Sequence, residues 1–172
     1  EGRDQKHQPG SQEFQNLLHP RDAPLRFESY HPAMQTALSI GGSDPTGGAG
    51  LQADLQVFRS LGVHGMGVVT ALTIQDSIKV HSTLPAFPSV VLDQLRGLLR
   101  DIQPGAVKTG MLASIAIIEC VAAEIQRHGV TQLVVDPVMV AKGGDRLLQE
   151  EAVEALRSEL LPLALVITPN IG

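Results

Sequence analysis

Tryptophan is absent from this 172-residue chain, tyrosine and cysteine occur once each, and phenylalanine four times. So few aromatic rings leave little to build a stacking platform for single-stranded nucleic acid. A formal net charge of -5, with no cluster of Lys or Arg, gives no general attraction for a polyanion. The lone Cys120 excludes an internal disulfide and any multi-cysteine metal site, and it fits a reducing cytoplasm. The six His are scattered, and no pair has the spacing of a metal site. No apolar run approaches the roughly 20 residues of a membrane helix. The longest, Leu160 to Ile167, is broken by Pro162. The first residues lack the apolar segment of a signal peptide, and their acids (Glu1, Asp4, Glu13, Asp22, Glu28) argue against a transit peptide.

What remains is ordinary for a soluble globular chain: 43% hydrophobic and 18% charged residues, with 17 Gly and 11 Pro. The length suffices for one domain with its own core. Residues 1–33 are rich in Gln, His, Pro and charge without a sustained period, and read as a disordered extension. Met34 is then a candidate native start, which N-terminal sequencing of the natural protein would test.

From Thr36 onward short apolar runs alternate with helical periods. Strands are expected at Thr36–Ile40, Met66–Ile74, Ala106–Lys108, Gln132–Val135 and Leu163–Thr168. Between them lie four expected helices. The first carries Leu51, Leu55, Phe58 and Leu61 and stops at Gly62. The second opens at Ser89 as N-cap and presents Leu92, Leu95, Leu99 and Ile102. The third, capped by Ser114, turns Ile115, Ile118, Ala122 and Ile125 inward and ends at His128-Gly129. The fourth spans Leu148–Leu160. Strands apolar on both faces, separated by amphipathic helices, predict an α/β fold with a parallel sheet covered on both sides. No helix follows the last strand, so the fold reads as cut, with an open edge near Leu163–Thr168.

In such sheets ligands bind beyond the carboxyl ends of the strands. Every expected strand here ends in polar or flexible residues: Gly41-Gly42-Ser43-Asp44, Gln75-Asp76, Lys108-Thr109-Gly110, Asp136-Pro137 and Thr168-Pro169-Asn170. One such ending is a common loop; five on one rim predict a small-molecule site. The loop 41–50, Gly-Gly-Ser-Asp-Pro-Thr-Gly-Gly-Ala-Gly, is the most specific feature. Its glycines allow close backbone approach to a ligand, and a helix N-terminus follows. It is no Walker A loop, lacking Gly-Lys-Ser/Thr. Gly48–Ala53 fits a relaxed dinucleotide fingerprint, but the tight turn and the acid at the next strand tip are missing.

Asp54 reads either as a helix-dipole partner or as a hydrogen-bond acceptor facing the ligand. Gln75 suits the edge of a heteroaromatic ring or a solvated loop. Met111 is either core filler or a surface packing on a flat ring. Asp136 reads as a loop acid or part of a metal–phosphate site, and Lys108 as a surface lysine or a phosphate ligand. Cys120 reads as core packing.

Together, Ala37–Leu55, Thr70–Gln75, Val107–Leu112, Val135–Met139 and Ile167–Asn170 resemble, in order and spacing, the hydroxymethylpyrimidine/phosphomethylpyrimidine kinase family of the ribokinase-like fold. The resemblance runs from about Thr36 to the last residue, with small departures at Gly41 and Gly143. It implies ATP-dependent phosphorylation of the thiamine pyrimidine and its monophosphate, with ATP and Mg2+ as cofactors. By family position, Asp54 and Gln75 hydrogen-bond the aminopyrimidine, while Gly42, Ala49, Met111 and Val138 line its pocket. Asp136 and Asn170 lie on the ATP–magnesium side. The family's catalytic residue and glycine-rich anion hole lie downstream of the Thr-Pro-Asn segment. No catalytic or metal-ligating residue is therefore assigned, and this chain alone is expected to bind ATP poorly and turn over little. A homodimer is implied by resemblance only, and the location is read as cytoplasmic. Three other readings stand beside this one: a B6-vitamer kinase of the same fold, a non-catalytic pyrimidine-binding module, and a nicotinamide oxidoreductase.

Overall fold

The computed structural model describes residues 34–138 and 150–170. The expected extension over 1–33, and with it Gly143 and Met139, lies outside them. In chain order the elements are β1 (Thr36–Ser43), α1 (Gly50–Ser60), β2 (His64–Gln75), β3 (Val80–Pro85), α2 (Pro88–Asp101), β4 (Ala106–Thr109), α3 (Ile115–Arg127), β5 (Leu133–Val135), α4 (Glu150–Ala155) and β6 (Val166–Ile167). Among the described residues they form one sheet in the order β3-β2-β1-β4-β5-β6. All neighbours are parallel except β2 and β3, which are antiparallel.

The pleat sorts the strand residues between two layers. Leu38 and Ile40 of β1, Met66 and Val68 of β2, and Val107 of β4 point into the main core. There they meet Val91, Leu95 and Leu99 of α2, Ile117, Ile118, Val121 and Ile125 of α3, and Ala152 beyond. The alternate residues face α1, where Gly65 and Gly67 leave room for Leu51, Leu55 and Phe58 to press onto the sheet. Helices therefore cover both faces, as the strand and helix periods predict.

Several boundaries differ from the sequence expectation, each for a local reason. β1 runs on to Ser43, because a bulge between Gly41 and Gly42 keeps it paired with β2. The helix α2 opens at Pro88 with Phe87 as its extended cap residue, so Ser89 sits inside the first turn rather than capping it. Ser114 does cap α3, its Oγ accepting from Ile117 N at 3.4 Å. Ile115 remains 36% exposed, however, and Ile117 and Val121 take the inward places instead. After α4 the chain passes through a π-helical turn, Leu156–Leu160, and a 3-10 turn, Leu161–Leu163, that contains Pro162. The last strand is short, but Leu165 N and Thr168 N donate to Leu133 O and Val135 O on either side of it.

β3 is the one element absent from the sequence expectation. Asp76 closes the hairpin, its Oδ1 accepting from Ile78 N at 2.8 Å and Lys79 N at 3.0 Å. Pairing skips one residue at His81, which contacts Asp76 Oδ2 at 2.7 Å. The two backbone donors foremost, then His81, hold the Asp76 carboxyl down at about 2.

One acid lies deep between α2 and α3. Glu124 is 3% exposed, and its Oε1 accepts from Arg96 Nε at 3.0 Å. Arg127 and His128 stand at 3.6 and 3.4 Å, yet Oε2 accepts no hydrogen bond among the described residues. Glu124→Ala would leave the Arg96 guanidinium without its acceptor at the helix interface. It is expected to destabilise the fold by about 1–3 kcal/mol, read by urea unfolding. Arg127→Ala, at an exposed pair, is expected to cost no more than about 1 kcal/mol.

Candidate active site

At the carboxyl rim, β1 ends in Ser43 and the chain crosses to α1 through residues 44–49. This loop is built around Asp44, which is 4% exposed. Its Oδ1 accepts from Thr46 N at 2.8 Å, and its Oδ2 from Thr46 Oγ1 and Ala49 N, both at 2.9 Å. Gln52 braces the other side, accepting from Asp44 N at 2.8 Å and donating to Ser43 Oγ at 2.6 Å. The glycine-rich loop is thus a hydrogen-bonded structure, and Ala49 is fixed in it. Neither Asp44 nor Gln52 is among the site residues expected from sequence. An Asp two residues before a Thr is the signal that would have found the first.

Gly50 closes the loop with φ +57, and a Cβ there would stand 2.3 Å from the carbonyl oxygen of Gly42. Gly42 in turn lies under Met111, whose Cε would be 2.7 Å from an added Cβ. Two of the expected pocket residues are therefore in contact, and Met111 is buried, at 7% exposure. The backbone beside it is held by Thr70, whose Oγ1 donates to Met111 O. It then turns sharply at Ala113, a non-glycine residue at φ 65.

Asp54 is the fifth residue of α1, beyond the first turn, so the helix-dipole reading does not hold. It faces the sheet. Ser39 Oγ donates to its Oδ2 at 2.6 Å, and Lys108 Nζ lies 2.9 Å from both carboxylate oxygens. Lys108 is thus neither a surface lysine nor an uncommitted phosphate ligand. Its Nζ also stands 3.9 Å from Asp136 Oδ2. Asp136 follows β5 and accepts no hydrogen bond on its side chain among the described residues. Burial pushes its carboxyl above the usual range, opposed by Lys108 and reinforced by Asp54.

Gln75 ends β2 on the same side of the strand as Thr73, whose Oγ1 donates to Ser43 O at 2.9 Å. Its amide is half-buried and makes no hydrogen bond among the described residues. Val138 is half-buried in a tight turn, its N donating to Asp136 O at 2.8 Å. Asn170 lies beyond β6, exposed, and touches none of the others through a hydrogen bond. The rim therefore groups Gly42 with Met111, and Asp54 with Lys108 and Asp136, while Gln75 and Asn170 stand at its two ends.

A family model described as phosphomethylpyrimidine kinase matches residues 44–172. The chain belongs to the phosphomethylpyrimidine kinase family. It is 45% identical over 135 residues to the hydroxymethylpyrimidine/phosphomethylpyrimidine kinase of Bacillus subtilis, covering 78% of this chain and 50% of that protein. The fold superposes on the phosphomethylpyrimidine kinase of Clostridium difficile with a TM-score of 0.75 and 43% identity, over 80% of this chain and 59% of that one. It also superposes on the pyridoxal kinase of Staphylococcus aureus in complex with AMP-PCP and pyridoxal, with a TM-score of 0.69 and 38% identity, over 80% and 49% of the two chains. The chain spans about half the length of the curated relatives it matches. The ribokinase-like architecture expected from the motifs is thereby established. Among the described residues, no helix is long and apolar enough to cross a membrane.

Among the described glycines, Gly50 has the closest approach for an added Cβ, the 2.3 Å to Gly42 O. Gly50→Ala is expected to destabilise the fold by about 2–4 kcal/mol, since the side chain meets both a positive φ and a backbone carbonyl. Urea unfolding reads it, and an unchanged midpoint would refute the crowding argument.

Proposed function

We propose that the protein phosphorylates 4-amino-5-hydroxymethyl-2-methylpyrimidine and its monophosphate from ATP, and that the residues described here form the pyrimidine half of its site. The observation that supports this most is the convergence on one rim of a braced backbone loop, a Met floor and an uncommitted Gln amide. A flat, hydrogen-bonding heterocycle needs a surface to lie on and an edge reader, and Met111 and Gln75 offer these. Gly42, Ala49 and Val138 bound the same space, and Asp54 supplies an acceptor. Asp136 and Asn170 would face the nucleotide. A desolvated carboxylate without a hydrogen-bond donor is an oxygen ligand of the kind Mg2+ accepts while keeping most of its waters. Bound Mg2+-ATP would supply the phosphoryl group and neutralise its charge.

The reading also takes the protein as cytoplasmic, which agrees with its single half-buried cysteine, and as a homodimer. For the dimer, the support is the β2–β3 hairpin, where Leu72, Ile74 and Leu84 are exposed and β3 is an edge strand among the described residues. Sedimentation equilibrium at micromolar concentration should give twice the chain mass, and a monomer there would dismiss the dimer.

The B6 alternative has a specific observation behind it, the likeness to a pyridoxal kinase bound to pyridoxal. Calorimetric titration of the chain with the aminopyrimidine alcohol and with pyridoxal separates the two. The pyrimidine is expected to bind at least about tenfold more tightly, and Gln75→Leu to abolish most of that preference. Tighter binding of pyridoxal would replace the pyrimidine reading with the B6 one.

A further inference from the structure

Ser39 of β1 and Lys108 of β4 are direct cross-strand neighbours, and the pleat turns both toward α1. Asp54 comes down from α1 to meet them. Its carboxylate offers about four acceptor positions. Ser39 and Lys108 together make three contacts with it, at 2.6, 2.9 and 2.9 Å. Only Oδ1 retains a position for another donor. Asp54 can therefore take one hydrogen bond from a ligand, in a direction its partners dictate.

The ammonium of Lys108 has three N–H donors, and its bonding to one carboxylate leaves at least one of them over. The nearest other anion, Asp136 Oδ2 at 3.9 Å, is beyond hydrogen-bond reach. All three charged side chains are half-buried, with exposures of 27%, 18% and 27% for Lys108, Asp54 and Asp136. Two carboxylates so placed repel each other unless a cation stands between them; Asp136 is raised by its burial first, with the Asp54 charge adding to it and Lys108 opposing.

We propose that Lys108 is a positioning residue of the pyrimidine site: it holds the Asp54 carboxylate with a single outward acceptor for a ligand donor and presents its remaining N–H between Asp54 and Asp136. This rests on the pyrimidine-binding reading above. Lys108 then links the ring end of the site to the phosphate end through one side chain. Removing it leaves Asp54 held by Ser39 alone and exposes it to repulsion from Asp136.

The test is a double-mutant cycle on the whole chain, read by calorimetric titration with the aminopyrimidine alcohol. Lys108→Met is expected to weaken binding by about tenfold, Lys108→Arg to recover part of the loss, and Lys108→Met with Asp54→Asn to bind no worse than Asp54→Asn alone. Wild-type affinity in Lys108→Met, or losses that multiply in the double variant, would overturn the proposal while leaving the pyrimidine reading intact. No binding by the unaltered chain would instead remove that reading and this one with it. Should the Met variant fail to fold, the unaltered chain still decides. The 15N resonance of Lys108 Nζ is expected to shift when the pyrimidine is added, and an unmoved resonance at saturation refutes the role.

Discussion

The carboxylate of Asp44 is the interaction on which the rim depends. A ten-residue glycine-rich segment has much conformational entropy to lose, and one buried acid restrains it by gathering Thr46 and Ala49 around itself. Gln52 completes the restraint from the first turn of α1. With the loop so fixed, Gly50 can return against the carbonyl of Gly42, α1 starts where it does, and Asp54 arrives opposite Ser39. The charged cluster and the contact of Gly42 with Met111 are downstream results of that one anchoring.

The legible parts of the structure were those governed by period. The apolar runs of β1, β2, β4 and β5 and the 3.6-residue faces of α1 to α3 follow directly from burial on two sides of a sheet, and the capping hydroxyl of Ser114 was visible as well. The rim position of Gly42, Gln75, Lys108 and Asp136 followed from strand ends alone. What stayed hidden depends on contacts between distant residues. Asp54 as a partner of Lys108 required knowing that β1 and β4 are neighbours, 69 positions apart at Ser39 and Lys108. β3 carries little period-2 signal, since Val80 and Leu84 are its only large apolar residues and none of Val80–Pro85 is fully buried; the turn at Asp76 is what makes the strand. Spacing predicts Ile115 inward, but at the start of α3 it is 36% exposed.

Polar chemistry in this fold is divided between two depths. Near the base, Glu124 ties α2 to α3 through Arg96, a contact between layers that has no view of the rim. Near the top, the carboxylates of Asp54 and Asp136 lie on one cation, Lys108. The first leaves Glu124 Oε2 without a donor among the described residues but buries it at 3% residue exposure, whereas the second leaves an acceptor position on Asp54 and a donor on Lys108 whose side chains are 18% and 27% exposed. Access from solvent, rather than the number of charges or of unmet hydrogen bonds, is what separates the upper cluster from the lower.

The length of β2 has a mechanical side. Its pairing with β1 ends at Leu72 opposite Ser43, and Thr73 to Gln75 continue with β3 alone. Three residues of strand reach about 10 Å past the last shared rung, so the hairpin is a cantilever whose free end carries Gln75. A tilt of roughly 10° at its root displaces that amide by nearly 2 Å over such a reach, enough to make or break a hydrogen bond. The hydroxyl of Thr73, bonded to Ser43 O at 2.9 Å, is the stay that sets this angle. The distance between the Gln75 end of the hairpin and the loop is thus governed by the Thr73 hydroxyl.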